Sequence, residues 1–226
     1  MAFKLNYIGH SGFYIDTETT GILIDPFITG NPKAKITFNS DKVDCIFLTH
    51  AHGDHLGDSI SIAKEKSAQI FAIHELANYC SQNGVNAVGT NIGGKFNFAW
   101  GNVRFLQAFQ SSTTPDGYTG GCAASLLFEI EGTKIFHAGD TGLTQEFKMI
   151  GETYRPDVAL LPIGGHYTMD TEDAAIAAKW LGAQVVVPIH YDTFDTIKAN
   201  AYDFANMVEY EGKVCKIMKA GDFLEY

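Results

Sequence analysis

Thr49-His50-Ala51-His52-Gly53-Asp54-His55 gathers three imidazoles and a carboxylate into one short turn. The turn follows Cys45-Ile46-Phe47-Leu48, an apolar, β-rich run that reads as a buried strand. The cluster therefore falls at the carboxyl end of a strand, where open α/β sheets build their sites. A single cation takes one or two side chains from so tight a turn. Three His and an Asp point to two adjacent cations, His50 and His52 serving one, Asp54 and His55 the other. The bland alternative is a polar turn in which histidines meet by chance. With only 8 His in the chain, that alternative is disfavoured.

Working outward, the bulk composition narrows the class. The chain has 226 residues and is 46% apolar, enough for one large α/β domain with a substantial core, and no linker or low-complexity tract divides residues 1–226. Sixteen basic and 26 acidic residues give a net charge of −10. That balance argues against a nucleic-acid partner, because phosphate contacts need clustered cations. No apolar run reaches the ~18 residues that span a bilayer, and Met1-Ala2-Phe3-Lys4-Leu5-Asn6 lacks the apolar core of a signal peptide. The four cysteines (Cys45, Cys80, Cys122, Cys215) are widely spaced with no C-x-x-C pair, so reduced, mostly buried thiols in a cytoplasmic protein are expected.

Short strands are expected at Lys4 to Ile8, Phe13 to Asp16 and Gly21 to Ile24, forming an antiparallel opening sheet. The strand Cys45 to Thr49 follows, then a helix near Asp58 to Lys66, a strand Gln69 to Ile73 and a helix His74 to Ser81 ended by Asn83-Gly84. Val103 to Ala108 is strand-like. Ala123 to Ile130 and Lys134 to Phe136 form a hairpin through Glu131-Gly132. Asp157 to Pro162 and Gln184 to Pro188 read as buried strands flanking an Ala-rich helix, Thr171 to Leu181, capped by Asp170 or Thr171 and stopped by Gly182. Val214 to Met218 closes the series. Two runs of similar order imply two α/β halves packed sheet to sheet, helices outside.

The second half offers further ligands at strand ends. Asp140 follows Ile135-Phe136-His137, flanked by Gly139 and Gly142, and a carboxylate there can span two cations. His190 follows Val185-Val186-Val187-Pro188-Ile189. His-x-His-x-Asp-His after one strand, Gly-Asp-Thr after another and a late His after a third resemble the metallo-β-lactamase fold superfamily. Gly9-His10-Ser11, Leu23 to Phe27, His137 to Gly142, Leu161 to Met169 and Pro188 to Phe194 extend the likeness nearly end to end. More narrowly the chain resembles the metal-dependent hydrolase subgroup akin to ascorbate-6-phosphate lactonase. The resemblance implies a four-layer αββα sandwich, a two-cation site at the sheet edge (zinc or manganese, with nickel as an alternative), a hydroxide nucleophile and a homo-oligomer.

One position departs from the family pattern. Where the family places a third His for the first cation, the matching stretch is Gln107-Ala108-Phe109-Gln110-Ser111, and Gln110 stands in its place. A neutral amide oxygen is a poorer zinc ligand than imidazole, so the first site should be weakened. Natural drift, a changed metal preference and an engineered substitution each fit. The metal set expected is thus His50, His52, Asp54, His55, Gln110, Asp140 and His190, with Asp54 and His166 as catalytic residues.

The other histidines divide. His10 is balanced between a pocket role and a structural turn, His137 reads as structural or supporting, and His74 as structural; Asp25 is placed to orient a ligand imidazole. The function expected is hydrolysis of a small polar ester or lactone, phosphorylated or not. A phosphodiesterase or nuclease, and a non-enzymatic metal-binding protein with a decayed first site, are the rivals.

Overall fold

The computed structural model describes residues 2–36 and 41–226. In chain order its first half holds β1 (Lys4–Gly9), β2 (Gly12–Asp16), β3 (Gly21–Ile24), β4 (Cys45–Phe47), α1 (Gly53–Leu56), α2 (Ser59–Lys66), β5 (Gln69–Ile73), α3 (His74–Gln82) and β6 (Ala87–Thr90). The second half holds β7 (Lys95–Phe98), β8 (Gly101–Gln107), β9 (Ala124–Ile130), β10 (Thr133–His137), α4 (Glu146–Tyr154), β11 (Val158–Pro162), α5 (Thr171–Leu181), β12 (Val185–Ile189), α6 (Ala201–Tyr210), β13 (Val214–Cys215) and β14 (Phe223–Glu225).

Among the described residues these strands form two seven-stranded sheets, ordered β14-β1-β2-β3-β4-β5-β6 and β13-β12-β11-β10-β9-β8-β7. Strands β1 to β3 run antiparallel, whereas β3 to β6 run parallel. The second sheet repeats this plan. Its β7 to β10 are antiparallel, and β10 to β13 parallel. Parallel strands need crossovers and are covered on both faces, which is why β4, β11 and β12 read as unbroken apolar runs rather than alternating ones.

The sheets pack face to face through aromatic side chains. Phe47 stacks on Phe71 with centroids 4.9 Å apart and meets Phe128 of the opposite sheet edge-on at 5.3 Å. A second apolar layer lies between the second sheet and α4 to α6, around Phe136, Phe147, Phe204 and Leu181. A third lies between the first sheet and α2 and α3, around Ile46, Ile70, Leu76 and Cys80. The result is the four-layer αββα sandwich that the resemblance implies.

The β9–β10 hairpin turns at Glu131-Gly132 as expected; both residues have positive φ, 50° and 84°, which suits Gly at the second position. Strands β6, β7 and β14 and helices α4 and α6 add to the elements expected. Helix α6 carries the periodic set Phe204, Ala205 and Val208 behind the Asn200 cap, a legible signal. Strand β14 has three residues and takes its place by pairing with β1, which no local pattern reveals. Val214 to Met218 shortens to the two-residue β13. Cys45 and Cys80 are buried, but Cys122 is exposed, and all four thiols are free. Among the described residues no helix is long and apolar enough to cross a membrane.

Candidate metal centre

Strand β4 stops at Phe47, two residues before the expected end, for a local reason. Leu48 N–H still reaches Phe71 O at 3.0 Å, but Thr49 N–H donates to Asp25 Oδ1 at 2.9 Å. Leaving the ladder there turns the chain into His50 to His55, with His52 at the N-terminal boundary of the one-turn α1. Gly57 ends that turn at φ 44°, and a Cβ there would lie 2.4 Å from Pro26 O. Glycine thus lets the turn close onto the Asp25-Pro26-Phe27 segment.

Two groups of potential ligands converge. One holds His50, His52 and Asp140, the other His10, Asp54, His55 and His190; within each, the ligand atoms lie within 4.8 Å of one another. Asp140 joins them. Its Oδ2 lies 3.1 Å from His190 Nε2 and 3.8 Å from His50 Nε2, and its Oδ1 lies 3.1 Å from His55 Nε2. His190 Nε2 is also 3.6 Å from Asp54 Oδ2.

The donors are pre-oriented by buried partners. Asp25, wholly buried, accepts from His55 Nδ1 at 2.7 Å and from the Thr49 hydroxyl at 2.6 Å. With its proton committed to Asp25, Thr49 Oγ1 accepts from His50 Nδ1 at 3.0 Å. One carboxylate thereby holds two imidazoles in the tautomer whose Nε2 lone pair faces the centre. On the other side, His10 Nε2–H donates to Asp54 Oδ2 at 3.1 Å and its Nδ1 accepts from Thr193 Oγ1 at 2.8 Å. His10, Asp25 and His190 all have left-handed backbones, φ 59°, 43° and 52°. Non-glycine residues take that conformation at a cost of order 1–3 kcal/mol each, met where the surroundings demand one side-chain position.

The electrostatics are those of a centre short of positive charge. Burial favours neutral His50 and His10, lowering them to about 3 and about 4. Burial opposes ionised Asp54, but the hydrogen bond from His10 and the nearby His190 and His55 imidazoles hold its carboxyl below the usual range. Burial likewise disfavours a charged His190, yet Asp140 and Asp54 together raise it to about 9. Asp140 stays ionised against burial because His190 and His55 face it.

His55 Nε2, Asp140 Oδ1 and both ring nitrogens of His190 are buried and without a hydrogen-bond partner. His50 Nε2 and His52 Nδ1 face each other at 3.0 Å. Buried polar atoms left this way are expensive. Imidazole nitrogens and carboxylate oxygens converging on the same space are the donor set of a divalent transition metal. The residues present fit two such cations.

Gln110 lies at the edge of the three-residue group. Its Nε2 is 3.5 Å from Asp140 Oδ2 and 3.3 Å from Tyr167 O, while its Oε1 accepts from Ser111 N at 3.0 Å. Ligation would require the two ends of the amide to exchange, giving up the Tyr167 contact. The other histidines separate cleanly. His137 is buried, its Nε2 donating to Ser11 O at 2.8 Å and its Nδ1 accepting from Gly139 N at 3.0 Å. His74 opens α3 and contacts Asn78 at 3.0 Å. His166 is exposed and meets the Tyr167 ring edge-on at 4.5 Å. His10, balanced between two roles in the sequence, is brought against Asp54. The clue was its place in Gly9-His10-Ser11, after the first strand.

Residues 20–191 match the β-lactamase superfamily domain. The chain belongs to the metallo-β-lactamase superfamily. It is 48% identical over 219 residues to a UPF0173 metal-dependent hydrolase of Anoxybacillus flavithermus, covering 95% of this chain and 97% of that one. It is 50% identical over 210 residues to another such hydrolase of Geobacillus thermodenitrificans, covering 91% and 92%. Among solved structures it is similar to Igni18, a metallo hydrolase of the archaeon Ignicoccus hospitalis, with a TM-score of 0.91 at 39% identity over 100% of this chain and 99% of that one. These likenesses make this superfamily member a metal-dependent hydrolase.

Proposed function

We propose that the enzyme hydrolyses a small polar ester or lactone, using two divalent cations of the zinc or manganese type. His50, His52 and Asp140 would hold one, Asp54, His55 and His190 the other, with Asp140 common to both. The observation that carries this reading is the convergence of these donors on one space with buried ring and carboxylate atoms left unpartnered. Cations bound there would make water acidic enough to be a nucleophile near neutral pH and would polarise the bond under attack.

The chain's own residues supply the rest. Asp25 and Thr49 keep the Nε2 atoms of His50 and His55 turned to the reacting space. Asp54, steadied by His10, presents a carboxylate that orients the attacking water. Burial of His10, His50, His55, Asp140 and His190 excludes bulk water behind the centre. Phe194, 40% exposed with its ring 5.7 Å from that of His10, offers an apolar surface for the organic part of a substrate. His166, exposed beside Tyr167, is assigned the proton delivered to the leaving group. Gln110, its amide nitrogen directed at Asp140, leaves the His50 cluster with the weaker hold.

The test is metal analysis of the purified protein, followed by a panel of lactones, carboxylic esters and phosphodiesters with zinc, manganese and nickel. Turnover of a lactone or ester that a chelator abolishes and added cation restores is the expected result. Turnover confined to phosphodiesters would overturn the substrate class. Bound cations with no turnover of any class would overturn the catalytic reading.

A further inference from the structure

A cleft of about 1240 Å³ is lined in part by the His10 segment. Its wall includes Tyr7 and His10, and the His10 carbonyl accepts both from the Tyr7 hydroxyl at 2.9 Å and from His190 N at 2.9 Å. The His10 segment is thus shared between the wall of the cleft and the backing of His190.

The charge of this cleft is opposite to that of the molecule. The chain carries −10, yet four of its sixteen basic residues, Lys33, Lys35, Lys198 and Lys219, line this one cleft against a single lining carboxylate, Asp192. They come from three separate parts of the chain, so no local charge run accounts for the grouping. Existing pairings are weak. Lys33 reaches Asp192 at 3.9 Å and Lys198 reaches Asp195 at 2.7 Å, all four side chains being at least 39% exposed. Exposed pairs of that kind contribute little and yield readily to a better anion. Lys35 and Lys219 have no carboxylate in ion-pair reach among the described residues. Between the lysines the lining is apolar and aromatic, with Ile217, Met218, Tyr191 and Tyr202.

We propose that this cleft binds a small phosphate monoester, its phosphate held by Lys33, Lys35, Lys198 and Lys219 and its organic body laid against Ile217, Met218 and the two tyrosines. A compact dianion matches several flexible ammonium groups brought to one cleft by different segments, and a concave basic surface concentrates such an anion against the repulsion of the acidic remainder. None of the four lysines belongs to either ligand cluster, and the proposal stands independently of the substrate class proposed there.

The experiment is a calorimetric titration of the metal-loaded protein with phenyl phosphate, inorganic phosphate and phenol. Saturable binding of phenyl phosphate is expected, weaker binding of inorganic phosphate, and none of phenol. In the double variant Lys35→Glu with Lys219→Glu, affinity for phenyl phosphate should fall at least tenfold, with melting temperature and cation content unchanged. The distant Lys64→Glu on α2 should bind as the parent does. Unchanged affinity in the double variant would overturn the proposal and place the binding at the cations. An equal loss in Lys64→Glu would overturn it as well, since overall charge alone would then explain the effect. Variant protein that melts early is replaced by Lys35→Gln with Lys219→Gln, for which a loss of at least threefold is required.

Discussion

The two ligand clusters leave the same turn but are supported to different degrees. In the cluster of Asp54, His55 and His190, two of the three donors are held from behind. Asp25 holds His55, and His10 with Thr193 holds Asp54. Its imidazoles are almost wholly buried. In the cluster of His50, His52 and Asp140, His50 shares the Asp25 support through Thr49. His52, however, is half-exposed and has only Ser111 Oγ, at 3.2 Å, beyond its facing imidazole. Where a further donor would complete it, Gln110 offers an amide turned the wrong way. Ligand number and outer support both favour the first of these clusters, so cation affinity should be graded between them although the donor chemistry is nearly the same.

Asp140 is where the comparison is most exposed to failure, because it belongs to both clusters. Asp140→Ala should abolish turnover, a loss of more than about a hundredfold, beyond what removal of an outer-shell partner costs, and should deplete both cations on metal analysis. Retention of one full cation with activity would show that Asp140 serves one cluster only.

Asp25→Asn comes next. It replaces an acceptor for His55 and Thr49 with an amide, and both clusters should lose affinity by roughly 10–100-fold, measured by competition with a chelator. Loss at one cation alone would break the relay from Asp25 through Thr49 to His50.

Gln110→His addresses the difference itself. Imidazole for amide should tighten the His50 cluster by about tenfold or more and leave the other unchanged. A stepwise metal titration of parent and variant would check it, since the two affinities should draw together. Equal curves would place residue 110 outside the metal shell.

The smallest effect is expected at His74, which shares residue type with the ligands but none of their burial. His74→Ala should shift stability by no more than about 0.5 kcal/mol and leave hydrolysis unchanged, as read by denaturant unfolding and by turnover.

The ligand turn was legible in sequence because its residues are adjacent: four chemically unusual side chains within six positions admit few readings. The strand-end positions of Asp140 and His190 were legible for a similar reason, His190 following an apolar, β-branched run and Asp140 the shorter Ile135-Phe136-His137. The sandwich followed from two successive series of such strands. Strand β14 was not visible, having three residues and depending on β1 for its partner. His10 was visible only as an ambiguity. Its approach to Asp54 spans 44 positions, and no spacing rule reaches that far.

By itself, then, the sequence determined the chemistry available: which donors exist, that they end strands, and that position 110 carries an amide where the resemblance calls for an imidazole. Those are properties of residue type and of local periodicity. Only the tertiary structure decided which nitrogen of His50 and His55 faces the centre, because a tautomer is set by the partner of the opposite ring nitrogen, and Asp25, which holds His55 directly and His50 through Thr49, is supplied by a separate segment. The tertiary structure alone also gathered Lys33, Lys35, Lys198 and Lys219 from three parts of an acidic chain into one cleft, since the sum of charges along a sequence says nothing of where folding brings them together.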